Sequence, residues 1–251
     1  NNGKMKVVIN LHTGLIDSYE ADGRVGLGKG SFAPLAIKDD ENSWAHKEKS
    51  FRNIKGEFTL MDEEKAAEFS GIINGSRPHS VRIIEDGAVR TVVEALFSYH
   101  DSFLARRYYL PKNSSDFTVR DKVYWNEKMT MLKLSLRTVD GDIFIGQTAY
   151  GSETLLTNGD EMVSQKWNLV SDGNTALTVI NSSTYGSDYK DGELRITCLR
   201  SPGYAAGKSD FSVRKPYIME QDRFSPFMDQ GEHDFTFAVK VGDDGERRAH
   251  I

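Results

Sequence analysis

Apolar and polar positions alternate with period two through much of the chain, a pattern that predicts strands rather than helices. Residues 7–11 form a short apolar run, and 13–19 alternate before the turn Ala21-Asp22-Gly23. Residues 80–85 and 88–99 flank Asp86-Gly87, the strongest hairpin signal in the sequence. Runs at 103–110, 117–125 and 130–139 follow, and Asp140-Gly141-Asp142 turns the last of them into Ile143-Phe144-Ile145. Further runs lie at 176–180, 194–199 and 235–241. Short strands spaced about ten residues apart, with turn residues between them, predict an all-β antiparallel sandwich or barrel with at most one or two short helices.

Three stretches depart from the pattern. Residues 61–69 have helical composition and fit either a short helix or a charged edge strand. Residues 24–34 are glycine-rich, lack a GxxxxGK[ST] pattern and are read as a mobile connection. Residues 201–231 hold Pro202, Pro216, Pro226 and several aromatics, and an irregular stretch of that length predicts a functional loop. No internal repeat or linker divides the sequence, so residues 1–251 are expected to form a single β-sandwich domain.

Composition narrows the function. With 251 residues, 38% of them hydrophobic, the chain can bury one large core. A net charge of -5 argues against a nucleic-acid partner, which needs a basic footprint. No apolar run approaches the length that spans a membrane, and no signal peptide is evident behind Asn1-Asn2-Gly3-Lys4, a start that looks trimmed. The single cysteine, Cys198, cannot form an internal disulfide, which fits a reducing compartment and a cytoplasmic location. Its strand-like setting suits a buried small hydrophobe rather than a nucleophile.

Candidate chemistry is sparse. The six histidines form no HxH or HExxH pair, so no metal site is expected within the chain. No GxSxG is present, and the 37 acidic residues are too dispersed to mark a catalytic pair. His100-Asp101, if on a strand, would point to opposite faces. In Asp39-Asp40-Glu41-Asn42-Ser43-Trp44-Ala45-His46, a ring flanked by carboxylates and an imidazole suits sugar recognition. On spacing alone, a turn with a core tryptophan is the better reading. Tyr185 follows a strand into a polar turn, and packing is its simpler role. Arg200 ends a strand, where a guanidinium can fork onto hydroxyls or remain a surface charge.

Six pieces in one order carry a family resemblance. Asp39 to His46 is similar to a DD-x-D-T-W-S-H stretch, with Asn42 in place of an acid and Ala45 in place of a serine. Val123 to Lys133 is similar to vDW-x-E-x-x-x-LK, with Tyr124 in place of the acid. Tyr150-Gly151, Glu161 and Gln165 to Trp167 match part of a YG and E-x-P-x-Q-x-W region, without its arginine and with Val163 for proline. Ile180 to Gly186, Leu194 to Pro202 and Asp229 to Phe235 resemble LN-x-x-x-YG, L-x-L-x-L-LRSP and D-x-G-x-H-x-F. Over residues 5–241 the chain thus resembles the C-terminal β-domain of bacterial glycoside hydrolase family 38 α-mannosidases.

The resemblance implies a large antiparallel supersandwich of the galactose mutarotase-like kind. It implies retaining hydrolysis of α-mannosides in mannose and glycan metabolism, through an aspartate nucleophile on an N-terminal barrel that also holds a zinc ion. The barrel's nucleophile and HxD motif are absent here, so no catalytic or metal-binding residue is placed on this chain, and the fragment alone is expected to be inactive. Its expected partners are its own N-terminal catalytic barrel and an α-mannoside or oligosaccharide, and homo-oligomers are compatible with it. Trp44 and Arg200 are the substrate-binding candidates that the resemblance implies, with Asp40, His46 and Tyr185 behind them. The competing readings are a stand-alone carbohydrate-binding module and a mutarotase-like epimerase, the latter drawing on His100, His233 and Glu153. The chain is expected to continue beyond Ile251.

Overall fold

A computed structural model of the chain describes residues 1–39, 45, 48–72, 75, 77–203 and 227–249. Strands β1 (Met5–Ile9), β2 (Ile16–Ala21) and β3 (Arg24–Leu27) make a small antiparallel sheet. There follow β4 (Ala33–Lys38), β5 (Ile54–Glu57), β6 (Thr59–Leu60), helix α1 (Glu63–Phe69), β7 (Val81–Asp86), β8 (Arg90–Tyr99), β9 (Ser102–Pro111) and β10 (Phe117–Trp125). The chain continues through β11 (Thr130–Arg137), β12 (Ile143–Thr148), β13 (Gly151–Thr154), β14 (Met162–Val163), β15 (Trp167–Ser171), β16 (Thr175–Asn181), β17 (Gly186–Lys190) and β18 (Glu193–Arg200). It closes with β19 (Gly231–Asp243) and helix α2 (Asp244–Ala249).

Ten strands form one sheet, ordered β13-β12-β15-β16-β19-β10-β9-β8-β6 with β7 also on β8. Six form another, ordered β14-β17-β18-β11-β4-β5. Every pairing is antiparallel. The predicted all-β supersandwich is therefore what forms, with two short helices among the described residues.

Period-two alternation builds the core. On β10, Phe117, Val119, Val123 and Trp125 turn inward, and Leu132, Leu134 and Leu136 of β11 meet them from the six-stranded sheet. One charge pair sits among these apolar side chains. Arg106 on β9 forks onto its cross-strand partner Asp121 at 2.7 and 2.6 Å and also donates to the Phe32 carbonyl. The rings of Phe32, Phe97 and Tyr108 lie within 5.8 Å of its guanidinium carbon.

The ambiguous 61–69 stretch resolves as helix α1. Asp62 caps it by accepting from the Lys65 amide at 2.8 Å, and Ala66 packs beneath it with Met61 and Leu96. The glycine-rich 24–34 stretch is not a mobile connection: its first four residues are β3, and Phe32 is fully buried. Gly26 is needed there because a Cβ would stand 2.7 Å from Val241 and 3.0 Å from Leu177.

Candidate functional site

One end of the sandwich gathers the closing residues of β4, β10 and β18 and the opening residues of β9, β11 and β19. Backbone hydrogen bonds stitch these ends together. The Asp39 amide donates to the Met129 carbonyl at 3.2 Å, and Met129 donates to Ser201 at 2.8 Å. The Ser201 hydroxyl accepts from the Trp125 indole at 2.6 Å and from Gln230 at 3.1 Å, and donates to the Met228 carbonyl at 2.8 Å. Four non-glycine residues at this end, Ala45, His100, Met129 and Asp229, hold left-handed φ values between 46° and 53°. Such backbone costs about 1–3 kcal/mol per residue and collects where a surface is shaped for a task.

Arg200 is the charged centre of this end. Its guanidinium contacts Asp39 at 2.6, 3.1 and 3.2 Å and lies 5.2 Å above the Phe51 ring. The Asp39 side chain is fully buried, while 23% of the Arg200 side chain remains exposed. A buried carboxylate thus engages Nε and Nη2 of a partly exposed guanidinium over an aromatic face and fixes its position.

Of the other predicted site residues, Tyr185 stands at the same end. It is exposed, and it precedes Gly186, whose partner Thr197 lies three residues before Arg200 on the neighbouring strand. Trp44, Asp40 and His46 lie outside the described residues. The structure therefore brings Arg200 together with Asp39, the first residue of the acidic stretch, and places Tyr185 one strand away.

A second group at this end escaped the sequence. His100 lies at the tip of the β8–β9 turn, just past the predicted 88–99 strand. Its Nδ1 lies 3.1 Å from Glu127, whose other oxygen accepts from the Ser102 hydroxyl at 3.0 Å. Glu127 is nearly buried and His100 is exposed, so the carboxylate orients the ring and turns Nε2 outward. The signal was available, since Glu127 belongs to the 123–133 motif. Its partner, 27 residues upstream, was not legible.

Other residues of the resemblance serve a different end. Lys133, Glu161, Thr197 and Gly186 meet on the outward face of the six-stranded sheet. Lys133 is fully buried, bonded to Asp188 at 2.6 Å and to Glu161, and Glu161 also accepts from Thr197. Arg52 bridges Asp188 and Glu193, the latter at 2.5 Å. Burial pushes the Asp188 carboxyl up, against the pull of Lys133 and Arg52. Burial also pushes Glu193 up, but the Arg195 and Ser135 hydrogen bonds and nearby guanidiniums more than offset it, leaving Glu193 below the ordinary carboxylate value. These residues are scaffold.

Cys198 packs on the core, and burial pushes its thiol well up, so it is no thiolate nucleophile. Among the described residues, no group of three or more His, Cys, Asp or Glu side chains could hold a metal ion. No helix among them is long and apolar enough to cross a membrane. The epimerase constellation does not converge: Glu153 on β13 and His233 on β19 are separated by three strands, about 19 Å at the usual spacing.

Residues 63–208 match the glycosyl hydrolases family 38 C-terminal domain. The chain belongs to that family. All of its length superposes on an alpha-mannosidase from Enterococcus faecalis V583 at a TM-score of 0.71 and 12% identity, covering 30% of that chain. A second family 38 protein from Enterococcus faecalis superposes with the same TM-score at 14% identity and 31% coverage of its chain. The chain thus spans under a third of the length of these relatives. No curated protein matches it by sequence. In this family 38 domain the matched region includes His100, Glu127, Lys133 and Arg200, while Asp39 precedes it.

Proposed function

We propose that the chain is the C-terminal β-domain of a bacterial, cytoplasmic, retaining α-mannosidase, and that it seats the catalytic barrel and lends Arg200 to the mannose site. The observation that carries this reading is the Arg200–Asp39 pair, held on Phe51 at a strained end of the sandwich within a family 38 domain. Mannose is neutral and rich in hydroxyls. A guanidinium fixed by a buried carboxylate keeps its geometry while donating to adjacent sugar oxygens, so little side-chain ordering is left to binding. Tyr185, and Trp44, Asp40 and His46 in the segment after Asp39, are proposed to line the same pocket.

The nucleophile and acid, two carboxyl groups about 5–5.5 Å apart in a retaining enzyme, belong in this reading to the preceding barrel, as does a zinc ion. No step of the reaction is assigned to a metal ligand of this chain.

The test compares the full-length protein with residues 1–251 alone on 4-nitrophenyl α-D-mannopyranoside. The full-length protein should release the sugar with retained anomeric configuration, and the fragment should release none. Turnover by the fragment, or inversion by the full-length protein, would contradict the proposal.

A further inference from the structure

The outward face of the ten-stranded sheet carries a hollow of about 430 Å³, within the range of about 300–1,000 Å³ found for small-molecule sites. Its floor is Leu96 and Ala105, cross-strand partners on β8 and β9. The small Ala105 leaves the depth. Along one side run three rings: Phe69 from the end of α1 lies 5.7 Å from Phe103, and Phe103 stacks at 6.3 Å on its partner Tyr124. Tyr124 and Phe69 are nearly half exposed, at 45% and 44%. Glu232, the cross-strand partner of Tyr124, continues that row, and charged side chains line the rest of the hollow. Glu94 accepts from Arg82 at 2.7 Å and from Arg107 at 2.9 Å, and Lys122 pairs with Glu232 at 3.1 Å.

Rings that adjoin hydrogen-bonding groups, over a small apolar floor, have the amphipathy of a pyranose. The C–H face of a sugar stacks on an aromatic ring, while its edge hydroxyls bond to carboxylate and guanidinium. The charges of the hollow are already paired with each other, so it presents donors and acceptors without demanding a charged ligand. The ring row begins at Tyr124, one residue from Trp125 and three from Glu127, and so opens beside the end that holds Arg200 and His100. Tyr124 is also where this chain departs from the acid of the family motif, which puts an exposed ring at the mouth of the hollow.

We propose that this hollow is an accessory carbohydrate subsite that takes one or two pyranose units of a neutral oligosaccharide, apart from the Arg200 end. The choice of α-mannan as probe rests on the α-mannosidase reading. The experiment is affinity electrophoresis of the full-length protein in gels containing soluble α-mannan, with 4-nitrophenyl α-D-mannopyranoside hydrolysis measured in parallel. Tyr124→Ala and Arg107→Ala should each weaken retardation about tenfold while leaving kcat/KM on the small substrate unchanged. Both positions are at the surface, and Arg82 still pairs with Glu94 when Arg107 is lost. Wild-type protein that is not retarded, or variants retarded like the wild type, would overturn the subsite. Variants that instead change the oligomeric mass on sizing chromatography would overturn it as well, and mark the face as a protein contact. Wild-type retardation without hydrolysis, lost in the variants, would uphold the subsite and count against the mannosidase reading.

Discussion

The outward faces of the two sheets carry similar residues to opposite ends. Both are studded with ion pairs. On the six-stranded sheet the pairs around Lys133 are roofed over: Phe51 packs on Leu35, Ile37 and Met131, and the roof is tied together by the Glu161 amide on the Lys49 carbonyl at 2.7 Å. On the ten-stranded sheet, Arg82, Glu94, Arg107, Lys122 and Glu232 stand around an open hollow beside exposed rings. The teaching is that a charge pair in this fold means scaffold where segments cover it and recognition where they do not. Sequence motifs alone do not separate the two: Lys133 and Arg200 belong to equally good matches on the same six-stranded sheet, yet Lys133 is fully buried while Arg200, at the end of its strand, stays partly exposed.

Removing one charge from each face should give very different costs. Lys133→Ala leaves Asp188 and Glu161 facing each other with one cation fewer in a buried site, and is expected to cost about 3–5 kcal/mol in urea unfolding. A loss below about 1 kcal/mol, the range of surface pairs, would break the distinction between the faces.

Gly186→Ala sharpens it. A Cβ there would lie 2.5 Å from Glu161 Oε1 and 3.2 Å from Thr197, and Glu161 is held by Lys133 and cannot swing clear. The expected loss is about 1–3 kcal/mol by the same measurement. A neutral result would show that the roof yields.

Acid should act on the covered face through Glu193. Its folded-state value is depressed, so its contribution is present above the unfolded value of about 4.3 and disappears as pH falls through the folded one. Wild type should therefore lose more stability than Glu193→Gln between about pH 6 and pH 3. Asp188, whose value is raised, acts with the opposite sign, but it is present in both proteins. Parallel stability–pH curves would refute the assignment.

The smallest effect belongs to the open face. Arg107 is half exposed and shares Glu94 with Arg82, so Arg107→Ala should change stability by less than about 1 kcal/mol in thermal unfolding. A larger loss would mean that the open face also serves as scaffold.

Much of the architecture was legible because strands declare themselves locally. Asp86-Gly87 did turn β7 into β8, and the alternation in 117–125 did orient β10. What failed were positions explained by distant neighbours. β3 was hidden because its glycine answers to Val241, more than two hundred residues away. The tie between His100 and Glu127 joins residues 27 apart in the chain and has no local signal. Thr130–Arg137 was legible as a strand, yet burial of both its faces depends on segments elsewhere in the chain, Phe51 among them. At the candidate site, Arg200 at a strand exit was readable, while its partner Asp39 stands 161 residues earlier in the chain. Trp44, Asp40 and His46 lie beyond what the structure describes.

The measurement that most directly tests the account is kcat/KM for 4-nitrophenyl α-D-mannopyranoside in the full-length protein, wild type against Arg200→Ala, with unfolding midpoints taken alongside. The account predicts hydrolysis by the wild type and a loss of about tenfold or more in the variant, as expected for a lost charge-assisted contact, at a midpoint still well above the assay temperature. A wild type that does not hydrolyse the substrate, or a folded variant that matches it, would contradict the claim that this end of the sandwich completes a mannose site.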